Sequence, residues 1–394
     1  MTQKKIATRN RCDAFSITSP HTHLPVCLPL AAAPIFGRGH RWSILTRQTD
    51  MSHGLAVSVP AVRQHVAFLE TVHNDPLNHA SALYLDRHLL AAAVERYEKL
   101  WLPMVESLST SQHKTLVPPI DVAWVWHLHR LAPLKYAVYC RQRFGNILDP
   151  GSSAFRLQSH STIEDHDDPD CLQTRALWTR KYPDDPFFIA TGGLTSFTSG
   201  LVEAIVATSE RQRTFLWQVS DPHFSDELFL EAAIDRYDKF LRLMGTCGDR
   251  NFYVPSYDVD LCWHTHMLAS CSTYHEETRI RAGAAVDHDD SVNDRCDGSK
   301  LNLSWANTKM LWRQVYGSAE ALDAPRTCYR GEPPRWWWFG NRRKGHPEIA
   351  EPVVVLDDFV AEDLIKKLLS QLPDESTLDN AITDPQGLLS IVLF

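Results

Sequence analysis

From Val59 onward, apolar side chains return every three or four residues, the spacing that gathers them on one face of an α-helix. Val62, Val66 and Leu69, followed by His73, mark the first such face. Leu85, Leu89, Ala93, Tyr97 and Leu100 mark a second, which predicts a helix over about 82–107 with Glu95 and Lys99 as an i,i+4 ion pair. A third helix is predicted over 228–244, and shorter ones around Trp178 and Trp312. Strand patterning is sparse: only 353–356 reads as a strand, followed by a helix at 361–372.

The helical pattern occurs twice. Val117-Pro118-Pro119-Ile120-Asp121-Val122-Ala123-Trp124-Val125-Trp126-His127-Leu128-His129 returns as Val254-Pro255-Ser256-Tyr257-Asp258-Val259-Asp260-Leu261-Cys262-Trp263-His264-Thr265-His266. Val-Pro, Asp-Val and Trp-His-x-His are each offset by 137 residues. Upstream, Ala92-Ala93-Val94-Glu95-Arg96-Tyr97 answers Ala232-Ala233-Ile234-Asp235-Arg236-Tyr237, and Phe68-Leu69 with Val72 faintly answers Phe215-Leu216 with Val219. Downstream, Leu177-Trp178 with Tyr182 answers Leu311-Trp312 with Tyr316. The same elements in the same order, with loops of different length, indicate an internal duplication.

The expected fold is therefore all-α: two related helical lobes, tandem or interlocked, with short irregular extensions. The expected limits are a basic, disordered leader at 1–57, repeat 1 at 58–190, a Gly/Thr/Ser linker at 191–200, repeat 2 at 201–318, and an incomplete C-terminal segment at 319–394. Organelle targeting by residues 1–50 and a true start at Met51 are the alternatives for the leader.

Charge narrows the partners. The net charge is -8, but seven basic against two acidic residues give 1–50 a net +5, so the rest carries -13. A body that acidic is not expected to bind nucleic acid. Nine cysteines without a C-x-x-C pair argue against a disulfide framework and a four-cysteine zinc site, and for a reducing, cytoplasmic location. No apolar run reaches the roughly 18 residues of a membrane span.

The repeated motif carries the candidate chemistry. Asp121 and Asp258 fall in the first turn of a helix opened by prolines, where a carboxylate suits the helix dipole. Asp with two His is also a ligand set for zinc or iron. Residues two apart on a helix point about 200° apart, so His127 and His129 do not bind one ion. A divalent site would need one His from each copy, such as His127 near His264, with Asp121 or Asp258. Otherwise Trp126 and Trp263 anchor the core and the histidines hydrogen-bond within it; His129 and His266 read as the more buried pair. The His-Asp-Asp runs in the loops at His166 and His288 resemble two ligands of a metal triad, although acidic loops of this kind ordinarily stay solvated. Trp336-Trp337-Trp338-Phe339 beside Arg342-Arg343-Lys344 has the stacking and charge of a single-stranded nucleic-acid site. Phosphate-loop, G-x-S-x-G, H-E-x-x-H and dinucleotide motifs are absent.

The doubled Asp-Val-x-x-x-Trp-His-x-His pattern, with its Arg-Tyr-x-Lys helix before and Leu-Trp…Tyr helix after, resembles the glycine-rich domain-containing protein family of plants and fungi over about residues 58–318. The resemblance implies that family's N-terminal helical domain, with Asp121, Trp126, His127, His129, Asp258, Trp263, His264 and His266 at the signature positions and no catalytic residues. It also implies links to growth, development and stress. The family's long glycine-rich tail has no counterpart among 17 glycines, which removes support for an RNA role tied to it, and Ser270 standing for Pro133 marks the second copy as the more altered. The expected function is a non-enzymatic intracellular scaffold with a protein partner. The alternatives are a metal-dependent enzyme using Asp and His of both repeats, and RNA association through 336–344.

Overall fold

A computed structural model describes residues 54–109, 115–159, 168–190, 197–248, 250–317 and 321–334. The leader, the His166 loop, residues 191–196 of the expected linker, the aromatic–basic run at 336–344 and the elements foreseen at 353–372 lie outside the described residues. Among the described residues the regular elements are helices, joined by a single parallel bridge between Pro119 and Gln158.

Five principal helices make up each half. The first half has α1 (Val59–Asn74), α2 (Arg87–Arg96), α3 (Ile120–Arg130), α4 (Pro133–Phe144) and α5 (Pro169–Lys181). The second has α6 (Gly200–Val219), α7 (Glu227–Cys247), α8 (Tyr257–Ala269), α9 (Cys271–Ala282) and α10 (Lys300–Tyr316). Most open on a side chain that accepts from the first free amides: Ser58, Asp86, Asp168, Ser199, Asp226, Ser270 and Ser299. The Pro119 and Ser256 starts lack such a cap, and Asp121 and Asp258 fall in the first turn as foreseen.

The helix expected over about 82–107 is interrupted. Asp86 stops a short turn at Ala82–Leu85 and caps α2, and α2 continues through a π-helical turn, Tyr97–Trp101, into Leu102–Glu106. Leu102 donates to the carbonyl of Tyr97, five residues back. Pro103 has no amide to keep the regular ladder across this point, which is a physical reason for the wider turn here.

The duplication is interlocked. Helix α1, first of the first half, packs on α7 and α8 of the second. Helix α6, first of the second half, packs on α2 and α3 of the first. The two exchanged helices also touch each other, so α1, α3, α6 and α8 meet at the centre. Polar groups mark the exchange: His65 Nδ1 of α1 lies 3.0 Å from Thr265 Oγ1 of α8, and the buried Arg130 of α3 donates to the Leu268 carbonyl of α8. Asp149 adds a further tie, accepting from the Cys271 amide at 2.6 Å and so capping α9 from the first half. One core runs through both halves, with Trp101, Trp124, Trp178 and Trp312 buried in it. At Gly245, where α7 crosses α9, a Cβ would stand 2.6 Å from the Arg281 carbonyl oxygen, so this close crossing requires glycine.

Candidate functional site

The repeated residues build one hydrogen-bonded frame twice. Arg96 Nε donates to Asp121 at 2.7 Å, and Arg236 Nε to Asp258 at 2.7 Å. The next residue repeats as well: the Tyr97 hydroxyl lies 3.0 Å from His129 Nδ1, and the Tyr237 hydroxyl 3.0 Å from His266 Nδ1. Trp126 donates to the Tyr136 hydroxyl at 2.9 Å and Trp263 to that of Tyr274 at 2.8 Å. Those tyrosines then donate to loop carbonyls, Leu148 at 2.5 Å and Val286 at 3.0 Å.

This frame accounts for six of the eight signature residues. The carboxylates of Asp121 and Asp258 face arginines rather than histidines, so the metal role expected of them finds no ligand partner among the described residues. A buried carboxylate keeps its charge only with such a counter-ion. His129 and His266 tie the motif helices to α2 and α7. Trp126 and Trp263 are the buried anchors foreseen.

The other two signature residues, His127 and His264, have parted company. His127 is enclosed, with its ring stacked on Phe68 at 5.0 Å and on Trp124 at 5.3 Å. The expected order of burial is reversed here, with His127 0% exposed and His129 6%. The Gln212 side chain of α6 faces His127 without a well-formed hydrogen bond. Burial holds His127 well below the usual histidine pKa, and His65, Arg130 and His264 push the same way. Among the described residues, the ligating atoms that converge on a motif histidine do so at His264, in a group that does not include His127.

His264 gathers a different set. Its Nε2 is 3.1 Å from His288 Nε2 and 3.5 Å from Asp260 Oδ1, and the His288 to Asp260 distance is 3.7 Å. Asp260 and His264 are four apart on α8 and so share a face. His288 arrives from the loop after α9, where its Nδ1–H donates to the Leu131 carbonyl at 3.2 Å and Arg211 holds neighbouring Asp290 at 2.9 Å. Phe215 and Trp263 wall the two rings. Asp260 Oδ1 and His264 Nδ1 are buried and lack hydrogen-bond partners. Burial pushes His264 down to about 3, against the pull of Asp260. Burial acts on His288 in the same sense, but Asp260, and after it Asp290, more than offset it, and its pKa stands above the ordinary value. These three residues form the group among the described residues whose ligating atoms converge as a metal site requires, all within 4.8 Å of one another.

The group lies in the wall of a cleft of about 1240 Å³ between α6, α8, α10 and the 284–295 loop. Phe252, Tyr253, Tyr257, Trp305 and Tyr329 line it, with Lys300 4.1 Å from the Phe252 ring centroid and Arg295 4.4 Å from that of Tyr329.

Asp260 is invisible to a reading of what the two copies share, and His288 is visible only within an acidic loop whose likeness to a metal triad yields to a solvated-surface reading. Ala123 occupies the first position of this pair in the first half, by the 137-residue offset. Pro150 occupies the second, since Tyr136 bonds Leu148 as Tyr274 bonds Val286, two residues before each. An Asp-x-x-x-His spacing present in only one copy was the available signal.

The match to known proteins covers this same region. A family model described as glycine-rich domain-containing protein-like matches residues 59–138 and 135–277, more than half of the chain. The chain belongs to the glycine-rich domain-containing protein-like family. Glycine-rich domain-containing protein 1 of Arabidopsis thaliana is 33% identical over 324 residues, 78% of this chain and 35% of that protein. Glycine-rich domain-containing protein 2 of the same plant is 34% identical over 270 residues, 65% of this chain and 32% of that protein. The chain thus spans about a third of the length of these family members. No solved structure matches.

Proposed function

We propose that this helical domain is a binding module, and that its cleft receives a short peptide segment of a protein partner. The cleft carries the reading. Its 1240 Å³ exceeds the roughly 300–1,000 Å³ of small-molecule sites. Its aromatic walls supply rigid contact area, while Arg295 and Lys300 beside Glu210, Asp289 and Glu332 supply hydrogen-bonding charge of both signs, a mixture that suits a peptide rather than a polyanion. That reading agrees with the acidic body outside the leader, which disfavours nucleic acid. No helix among the described residues is long and apolar enough to cross a membrane. The described cysteines are free rather than bridged, which supports a reducing compartment, with the cytoplasm as the proposed location.

Selection of a random displayed peptide library against residues 54–334 tests the reading. Enriched peptides are expected to bind at least tenfold more weakly to a Phe252→Ala/Trp305→Ala variant with an unchanged helical circular-dichroism spectrum. Peptides that bind wild type and variant alike, or no enrichment, would overturn it. A metal-dependent activity is the second reading, favoured by the convergence of Asp260, His264 and His288.

A further inference from the structure

We propose that Asp260, His264 and His288 hold one divalent transition-metal ion of the zinc class, with a coordination position left open to the cleft. The inference goes beyond the peptide reading and does not depend on it.

Distances come first. Three ligands at 2.0–2.1 Å around a tetrahedral ion stand about 3.3–3.4 Å from one another, whereas neighbouring ligands of an octahedral ion stand about 2.9 Å apart. The observed edges are 3.1, 3.5 and 3.7 Å, which scatter around the tetrahedral value. Two nitrogens and one carboxylate oxygen form a borderline donor set that suits zinc better than calcium or magnesium, which take oxygen.

Hydrogen bonding points the same way. The Leu131 carbonyl can only accept, so His288 Nδ1 carries a proton whatever the charge of the ring, and the ring in its neutral form presents its lone pair at Nε2. That lone pair faces His264 Nε2 and Asp260 Oδ1, and the latter is buried without a partner. A carboxylate oxygen and two imidazole nitrogens turned towards one point in a folded core call for a positive charge among them, either a proton or a metal ion. An ion there would engage all three. A backbone carbonyl on the far nitrogen of a metal-bound histidine is the usual outer support, and here Leu131, the residue that closes α3 of the first half, supplies it to a site in the second.

The surroundings leave one face free. Phe215 and Trp263 cover the rings, and the cleft lies on the remaining side. Three protein ligands with an open fourth position is the arrangement of zinc sites that take a water or an exogenous group, not of closed structural sites. One carboxylate with two neutral imidazoles leaves the complex a net positive charge, which suits a water, a carbonyl oxygen or a carboxylate in that position.

The test uses the full chain stripped of metal and titrated with Zn²⁺ alone, and with Co²⁺ as a visible probe. Wild type is expected to bind one Zn²⁺ per chain and to give the intense visible spectrum of four-coordinate Co²⁺, bleached by Zn²⁺. Asp260→Asn, nearly isosteric, and His288→Ala are each expected to weaken Zn²⁺ binding by at least roughly 100-fold, the upper range for losing even an outer partner. His127→Ala is expected to leave the stoichiometry at one. Should His288→Ala fail to fold, Asp260→Asn decides. Wild type that takes up no stoichiometric Zn²⁺, or Asp260→Asn that binds it as wild type does, would overturn the proposal.

Discussion

The two halves agree where the fold is held and differ where chemistry could occur. Arg96–Asp121 and Arg236–Asp258, Tyr97–His129 and Tyr237–His266, and Trp126–Tyr136 and Trp263–Tyr274 match to within about 0.1 Å. At the edge of that frame, Ala123 and Pro150 stand in the first half where Asp260 and His288 stand in the second. One motif histidine is consequently sealed between Phe68 and Trp124, and its counterpart meets a carboxylate and a second imidazole. The lesson is that recurrence identified the framework, while the candidate site depends on what did not recur.

Breaking the frame should cost most. Arg96→Ala and Arg236→Ala each leave a buried carboxylate without its counter-ion, and about 3–5 kcal/mol of unfolding free energy should be lost in either half. Urea titration of both variants checks this. Losses that differ by more than about 2 kcal/mol would break the equivalence of the two halves.

Acid should act through the buried histidines of both halves, His264 included. Burial, with Arg130 assisting, pushes His65 and His129 down to about 3, so both rings are neutral when folded. The unfolded chain takes up their protons near 6.5, the ordinary value for histidine. Their stabilisation is complete above that pH and falls as the pH drops towards 3, by roughly 1.4 kcal/mol per unit for each ring. Gln212 is the counterpart of His65 by the offset that relates Phe68 to Phe215, so His65→Gln should remove one ring's share of the slope. An unchanged slope in urea midpoints between pH 7 and 5 would count against this assignment.

Converting one half into the other should be unequal. Ala123→Asp places a carboxyl in the buried interior beside His127, and a loss of about 1–3 kcal/mol is expected. Asp260→Ala removes an oxygen that has no hydrogen-bond partner, so in metal-free protein stability should change by less than about 1 kcal/mol, or rise. Thermal melts of the two variants side by side check both. A large loss from Asp260→Ala would mean that the carboxylate serves the fold.

Much of the architecture was written in residue spacing. The doubled Asp, Trp and His positions gave the duplication, and their three- to four-residue periodicity gave the helices. Periodicity could not show that α1 and α6 trade places, because an amphipathic face specifies that it must be covered and not by which helix. The stretch over 82–107 read as one helix, because periodicity does not register the π-turn that precedes Pro103. At the site, His264 and the His288 loop were each legible, but not their meeting, nor Asp260 between them. Asp260 has no counterpart in the first copy to draw attention to it, and His288 lies 24 residues from His264 in a loop that reads as solvated.

The traded helices bear on how the chain is born. His65 waits for Thr265, 200 residues later, before its partner exists. At roughly 5–20 residues per second of synthesis, the apolar face of α1 spends about 10–40 s outside the ribosome without its native cover. The first half cannot settle before the second is made, so the domain's final packing belongs to the end of translation or after it.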